Sequence, residues 1–139
     1  MTKRFVADSC FWFALFEPRD QYHRAATSLQ EQLTVHDLIV PWPTLYEALN
    51  TRLVRRPDRL ARFKAIIERP STSIVEDRSY RTDSLRIVLG PTRHTYSLVD
   101  HVIRSMIEDR SLKLHALLTF NPKDFHDVCS RRGITLLSE

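Results

Sequence analysis

Four acidic side chains carry the chemistry this sequence has to offer. Asp8 follows the apolar run Phe5-Val6-Ala7, Glu47 comes after Leu38-Ile39-Val40, Asp100 opens an amphipathic segment, and Asp124 comes after Ala116-Leu117-Leu118. Three of the four lie downstream of segments patterned as strands. In an open α/β sheet, ligands gather beyond the carboxyl ends of the strands, so three strand exits and one helix start can meet across long sequence separations. Carboxylates that converge with few lysines near them suit a divalent cation.

Each acid has a purely structural reading beside this one. Thr44-Leu45-Tyr46-Glu47 fits the S/T-x-x-E capping box, in which Glu47 would only satisfy a free backbone N–H at a helix start. Ser97-Leu98-Val99-Asp100 and Asn121-Pro122-Lys123-Asp124 have related N-cap spacing, with Pro122 at the favoured first helical position. Asp8 differs. An acid directly after a buried strand and before Cys10-Phe11-Trp12-Phe13 must find polar company among apolar neighbours, and burying a lone carboxylate is costly. A shared cation would remove that cost at all four positions.

Positioning these acids requires a particular alternation of elements. Residues 4–7 are patterned as a strand and residues 10–16 as a short apolar helix closed by Pro18. Tyr22, Ala25, Ala26 and Leu29 recur at helical spacing within residues 21–33, and residues 38–40 form a second strand before Pro41-Trp42-Pro43. A helix is expected from Thr44 to about Val54, broken near Pro57 and resuming at Asp58, where Leu60, Phe63, Ile66 and Ile67 mark one apolar face. Residues 72–75 alternate as a strand, and residues 78–89 read as a helix ended by Gly90-Pro91. Residues 97–108 repeat the apolar pairs of an amphipathic helix, Leu98/Val99, Val102/Ile103 and Met106/Ile107. The apolar run 114–120 is too short for a core helix and is therefore a buried strand; Asn121-Pro122 then starts a last helix to about Arg132, and residues 134–137 make the final strand. Strands alternating with helices or helix pairs predict an α/β fold with a mostly parallel central sheet and helices on both faces.

At 139 residues the chain is expected to form a single domain spanning 1–139, large enough to bury roughly two-thirds of the surface its unfolded form exposes. Its 42% hydrophobic and 27% charged residues are ordinary for a soluble globular protein. No stretch approaches the ~18 apolar residues of a membrane span, and the start, Met1-Thr2-Lys3-Arg4-Phe5, lacks the apolar core and cleavage site of a signal peptide. The expectation is a cytoplasmic protein without membrane contact. Cys10 and Cys129 lie in no C-x-x-C pair, so neither a zinc knuckle nor a disulfide framework is suggested, and both are expected to be reduced and buried. With only Gly90 and Gly133, the chain can write no G-x-G-x-x-G, Walker loop or G-x-S-x-G elbow. Ser9-Cys10 after Asp8 disfavours the D-x-D start of an aspartyl-phosphate phosphatase.

The formal charge is +4 with a pI near 9.4, carried by 17 arginines against 4 lysines. Arginine binds phosphate oxygens bidentately and stacks on bases, which mildly favours a nucleic-acid partner; an arginine-favouring coding bias gives the same count. Arg52, Arg55, Arg56, Arg59 and Arg62 recur at near-helical intervals and could form a basic ridge for RNA phosphates, a solvated face, or a face covered by a protein partner. Phe11, Trp12, Phe13 and Phe16 exceed what a short helix usually buries; core packing accounts for most of them, and a homodimer seam for one. His23, His36, His94, His101, His115 and His126 show no metal-ligand spacing and read as surface or structural residues, with His101 beside Asp100 the one of interest.

Taken in order, these segments resemble a PIN domain, the small nuclease fold common among toxins of the VapBC type, over nearly the full chain. The matching pieces are Phe5-Val6-Ala7-Asp8-Ser9, Trp42-Pro43-Thr44-Leu45-Tyr46-Glu47-Ala48-Leu49, Tyr96-Ser97-Leu98-Val99-Asp100 and Leu118-Thr119-Phe120-Asn121-Pro122-Lys123-Asp124-Phe125. None is specific alone; their order and spacing are. The resemblance implies a PIN-like three-layer α/β fold and a Mg²⁺- or Mn²⁺-dependent ribonuclease, with Asp8, Glu47 and Asp100 as metal ligands. It also implies a small antitoxin partner. Many relatives have an aspartate where this chain has Asn121, so the fourth ligand is expected to be Asp124, with Asn121 or a water assisting. Ser9, Ser97 and Thr119 would orient ligands or waters. Two rivals stay open: a PIN-like RNA- or protein-binding module without turnover, and an α/β metal enzyme acting on small phosphoesters.

Overall fold

The computed structural model describes residues 2–91 and 95–138. The chain runs β1 (Arg4–Ala7), α1 (Ser9–Phe16), α2 (His23–Gln32), β2 (Asp37–Pro41), α3 (Trp42–Ala48), α4 (Thr51–Val54), α5 (Pro57–Ile67), β3 (Thr72–Val75), α6 (Arg78–Leu89), α7 (Leu98–Glu108), β4 (Ala116–Leu118), α8 (His126–Arg132) and β5 (Thr135–Leu137). The strands form one sheet in the order β3-β2-β1-β4-β5. Every pairing is parallel, so the sheet is parallel throughout rather than mostly.

The two-residue period of the strands sorts the core. Phe5, Ala7, Leu38, Val40, Ala116 and Leu118 face one side, where α1 (Phe11, Trp12, Leu15), α2 (Ala26, Leu29), α3 (Leu45), α4 (Leu53) and α5 (Phe63, Ile66) cover them. Val6, Ile39 and Leu117 face the other, under α7 (Val102, Ile103, Met106, Ile107) and α8 (Val128, Cys129). Both faces are covered by helices, which is why these strands read as unbroken apolar runs.

Several boundaries differ from the sequence reading; the last helix, expected from Asn121-Pro122, starts only at His126, after a separate 3₁₀ turn over Pro122–Asp124. The helix expected from Thr44 to about Val54 is two. α3 begins at Trp42, because Pro43 is tolerated in a first turn, and it ends at Ala48. Asn50 then restarts the chain by accepting the Leu53 N–H at 3.2 Å as the N-cap of α4. The break expected near Pro57 is present, with α4 ending at Val54 and α5 restarting at Pro57, one residue before Asp58. The run 114–120 contributes only Ala116–Leu118 to the ladder, although Leu114 and Phe120 stay buried beside it. Gly133, at φ 64, takes the left-handed conformation that ends α8 and turns the chain into β5.

The aromatic run on α1 is core. Phe11, Trp12 and Phe16 are buried, and Phe13 alone is half exposed, which leaves one ring of the run at the surface. Of the two free cysteines, Cys129 is buried and Cys10 is only partly so, because it stands at the mouth of the sheet described next. No helix among the described residues is long and apolar enough to cross a membrane.

Candidate metal centre

β1 lies at the middle of the sheet, and the chain leaves it into α1 through Asp8. The Asp8 N–H still pairs with the Leu118 carbonyl at 3.0 Å, while its side chain caps α1. The carboxylate is 5% exposed and fully engaged on one side. Oδ1 accepts the Ser9 N–H at 2.7 Å; Oδ2 accepts the Thr119 hydroxyl at 3.1 Å and the Cys10 thiol at 3.3 Å. A carboxylate offers about four lone-pair directions, so these three donors leave one, on Oδ1. Burial holds the carboxyl above the usual carboxylate range against the pull of its donors, and the charge of Asp100 adds to the rise.

The donors are themselves fixed. The Cys10 sulfur accepts the Phe120 N–H at 3.2 Å, and the Thr119 hydroxyl accepts the Asn121 N–H at 3.0 Å. Burial, with the charge of Asp8 beside it, pushes the Cys10 thiol up to about 12, so it serves Asp8 as a neutral S–H donor. Cys10 is a positioning residue that the sequence reading passed over. Its place two residues into a helix capped by Asp8 was the available signal.

Glu47 is not in a capping box. Thr44 lies inside α3, fully buried, and its hydroxyl donates to the Pro41 carbonyl at 2.7 Å, leaving nothing for Glu47 to close. Glu47 instead accepts the Ser9 hydroxyl, a short contact that ties the exposed acid to the buried one next door. Asp100 does cap. The Ser97 hydroxyl accepts the Asp100 N–H and Asp100 Oδ2 accepts the Ser97 N–H, both at 3.1 Å, so the reciprocal box is complete at the start of α7. One structural duty is thus real at Asp100, and its charge still reaches Asp8 and Asp124.

Asp124 lies in a single 3₁₀ turn, residues Pro122–Asp124, half buried. Burial and the Asp100 charge raise its pKa, while Arg104 opposes them. Arg104 anchors this turn. Its guanidinium donates to the Asp124 carbonyl at 2.6 Å and bidentately to Asp127 at 2.8 and 2.6 Å, and it covers the Tyr96 ring at 4.4 Å. Arg104 stands four residues after Asp100, a helical spacing that would have disclosed it. Asn121 does not make the expected N-cap bond; only its backbone carbonyl accepts the Asp124 N–H, at 3.1 Å.

The acids are therefore linked in sequence: Glu47 to Asp8 through Ser9, Asp8 to Asp100 and Asp100 to Asp124 through charge. Among the described residues no three His, Cys, Asp or Glu side chains close into a ready metal-sized group. The donor set is nevertheless all oxygen, mutually repulsive, and carries one vacant lone pair aimed from its most buried member, which fits a hard divalent cation rather than zinc.

The arginines do not form one ridge. Arg52 and Arg59 converge on Glu17 at 3.3 and 3.5 Å, and Arg62 covers the Phe16 ring at 5.2 Å; Arg55 and Arg56 remain exposed. His36 and His115 accept the Lys3 and Arg4 N–H groups at 3.0 Å, and His23 meets the Ala14 carbonyl at 2.8 Å, all structural. His101 packs edge-on against Tyr96. His94 lies outside the described residues.

A parallel five-stranded sheet in this order, with helices on both faces and acids at the carboxyl ends of its strands, is a PIN-like α/β fold. The solved structure of VapC20 from Mycobacterium tuberculosis, a sarcin-ricin loop cleaving toxin, superimposes on 88% of this chain and 94% of its own with a TM-score of 0.67, at 18% sequence identity. No protein-family model and no curated protein sequence matches the chain.

Proposed function

We propose that the chain is a Mg²⁺- or Mn²⁺-dependent endoribonuclease, one PIN-like domain acting as the toxin of a toxin–antitoxin pair. The observation that carries this reading is Asp8: a carboxylate held at the end of the central strand by three donors, with one lone pair free and the charge of Asp100 close by. Asp8, Glu47, Asp100 and Asp124 would hold the cation, and the likeness of fold to a toxin that cleaves RNA supports the substrate class. When bound, such a cation supplies the positive charge that acidifies water and stabilises negative charge developing on phosphate oxygens. The chain's own residues do the positioning. Ser9 couples Glu47 to Asp8, Cys10 and Thr119 fix the rotation of the Asp8 carboxylate, and Ser97 does the same for Asp100 through the capping box.

The surface around α4 and α5 suits the antitoxin. A cavity of about 330 Å³ opens there beside the half-exposed Phe13, rimmed by Arg52, Arg59 and Glu17. A second copy of the chain would have the half-exposed Phe13 on α1 and the exposed Leu85, Ile87 and Leu89 on α6 to pack against.

Cleavage of RNA polymers, compared with a panel of small phosphoesters and with chelator controls, tests the proposal. Metal-dependent cutting of RNA without turnover of the small esters is the expected result; turnover of the small esters alone, or metal binding without any cleavage, overturns it.

The fourth ligand can be tested separately. Asp124→Ala is expected to weaken Mn²⁺ binding by about 10-fold or more, the scale of losing a group that holds a metal site in place. Asn121→Ala should change neither Mn²⁺ affinity nor stability appreciably, since no side-chain cap bond is lost. Calorimetric titration reads both, and equal affinity in the parent and Asp124→Ala would assign Asp124 to the 3₁₀ turn alone.

A further inference from the structure

Two aromatic rings stand in solvent on the helix that carries Glu47. Trp42 and Tyr46 lie one turn apart on α3, 37% and 78% exposed, with ring centroids 6.1 Å apart and planes 35° from each other. Tyr46 is the most exposed large apolar side chain among the described residues, and it directly precedes Glu47. Neither ring serves the core, which α3 reaches through Leu45 and Ala48.

The rings form part of a cavity of about 270 Å³ that is also lined by Glu76, Asp77, Arg78 and Arg81. Its two acids equal its two arginines in number, but only Asp77 and Arg81 are paired. Arg78 is exposed and has no ion pair among the described residues, and Arg81, 56% exposed, reaches only Asp77 at 3.8 Å. A pocket with aromatic faces on one wall and available guanidinium groups on the other matches the chemistry of an unpaired nucleotide: a base that stacks and a phosphate that carries charge. A duplex cannot satisfy it, because paired bases keep their faces covered by one another.

We propose that Trp42 and Tyr46 are a base-stacking platform that holds an unpaired nucleobase of the RNA strand beside Glu47, with Arg78 and Arg81 meeting its phosphate. The inference rests on the ribonuclease reading and adds to it the residues that would hold an unpaired base.

The protein carries its own reporter. Of its two tryptophans, Trp12 is buried at 1% exposure and Trp42 is open, so a base stacking on Trp42 should quench fluorescence while Trp12 emits unchanged. Asp8→Asn protein, which should not cut, is titrated with a mixed-sequence single-stranded oligoribonucleotide and with the same sequence as a blunt duplex. The single strand is expected to quench and the duplex to bind more weakly without quenching. Adding Tyr46→Ala, or Trp42→Ala with Tyr46→Ala, should raise Kd roughly 10-fold or more. Trp42→Phe should remove the quench and keep the affinity within about threefold, since a stacking face remains. In the cutting protein, Tyr46→Ala should raise KM rather than lower kcat, and a retained rise in melting temperature with Mn²⁺ shows that its fold and acids are intact. RNA that is bound and cut with unchanged affinity in the double variant overturns the platform and leaves the ribonuclease reading standing; RNA neither bound nor cut overturns both. Sedimentation adds a third outcome: a dimer that the double variant converts to monomer, with RNA affinity unchanged, assigns the rings to a second copy and overturns the proposal.

Discussion

Asp8→Asn is expected to lower metal-dependent RNA cleavage by roughly two to three orders of magnitude or more, the scale of removing one preorganised electrostatic group, while the metal-free protein melts no lower than the parent. The loss follows from the lone-pair count. The only acceptor direction that Asp8 leaves open is on Oδ1, and an asparagine there is a neutral and weaker ligand. The stability follows from burial. In the folded chain the Asp8 carboxyl titrates above its ordinary 3.8, because desolvation disfavours its charge. Through that window the native state binds more protons than the unfolded one, so the stability of metal-free protein falls as pH rises and stays lowered above it. Asparagine has no proton to lose, and that part of the pH dependence should vanish. The amide is also sterically acceptable, since the Thr119 hydroxyl can turn from donor to acceptor where an N–H₂ replaces Oδ2. Cleavage assays with chelator controls, and melting curves from pH 4 to 8 in EDTA, decide it. Full activity in Asp8→Asn would end the nuclease reading; an inactive variant that is also unfolded would move the weight to Asp100→Asn, for which the same loss of cleavage is expected.

The second large effect is on stability, and it needs no substrate. Asp8 and Asp124 both titrate high partly because Asp100 carries charge beside them, so the metal-free site is uncomfortable when ionised. A cation that binds the native state alone, at 100 times its dissociation constant, adds about 2.7 kcal/mol. For a domain of this size that raises the melting temperature by on the order of 10 °C. Because the carboxylates must shed their protons to take a cation, the gain should grow with pH across the carboxylate range. Acids that only cap helices predict no such response. The measurement is a thermal scan with Mn²⁺, Mg²⁺ and EDTA at matched ionic strength, with elemental analysis of the stripped sample. A melting point indifferent to millimolar Mn²⁺ in metal-free protein would falsify the shared-site reading.

Much of the fold is readable in the order of residues. The three central strand segments were apolar on both faces because helices cover both sides of a parallel sheet, and the turn signals at Pro18 and Gly90-Pro91 lie where the elements end. Asp8 stood out as a carboxylate between a buried strand and an apolar helix, and the structure gives it the additional duty of capping α1. Capping patterns were a poorer guide. Ser97-x-x-Asp100 forms the reciprocal box, whereas Thr44-x-x-Glu47 has the same spacing and forms none. Pro43 lets α3 begin two residues early, which buries Thr44 and sends Glu47 to Ser9.

What the sequence determined by itself is the alternation of strands and helices and the α/β class that follows from it, because periodicity and backbone chemistry act over a few residues at a time. The tertiary structure alone decided which groups speak to the acids. The Cys10 thiol and the Thr119 hydroxyl meet on one oxygen of Asp8 across 109 residues of chain, Arg104 reaches over to hold the turn of Asp124, and Arg52 and Arg59 leave their ridge for Glu17. Such pairings depend on strand order and on how α1, α3 and α7 meet the sheet, and hydrogen bonds and charge pairs act only at contact distances that no spacing along the chain records.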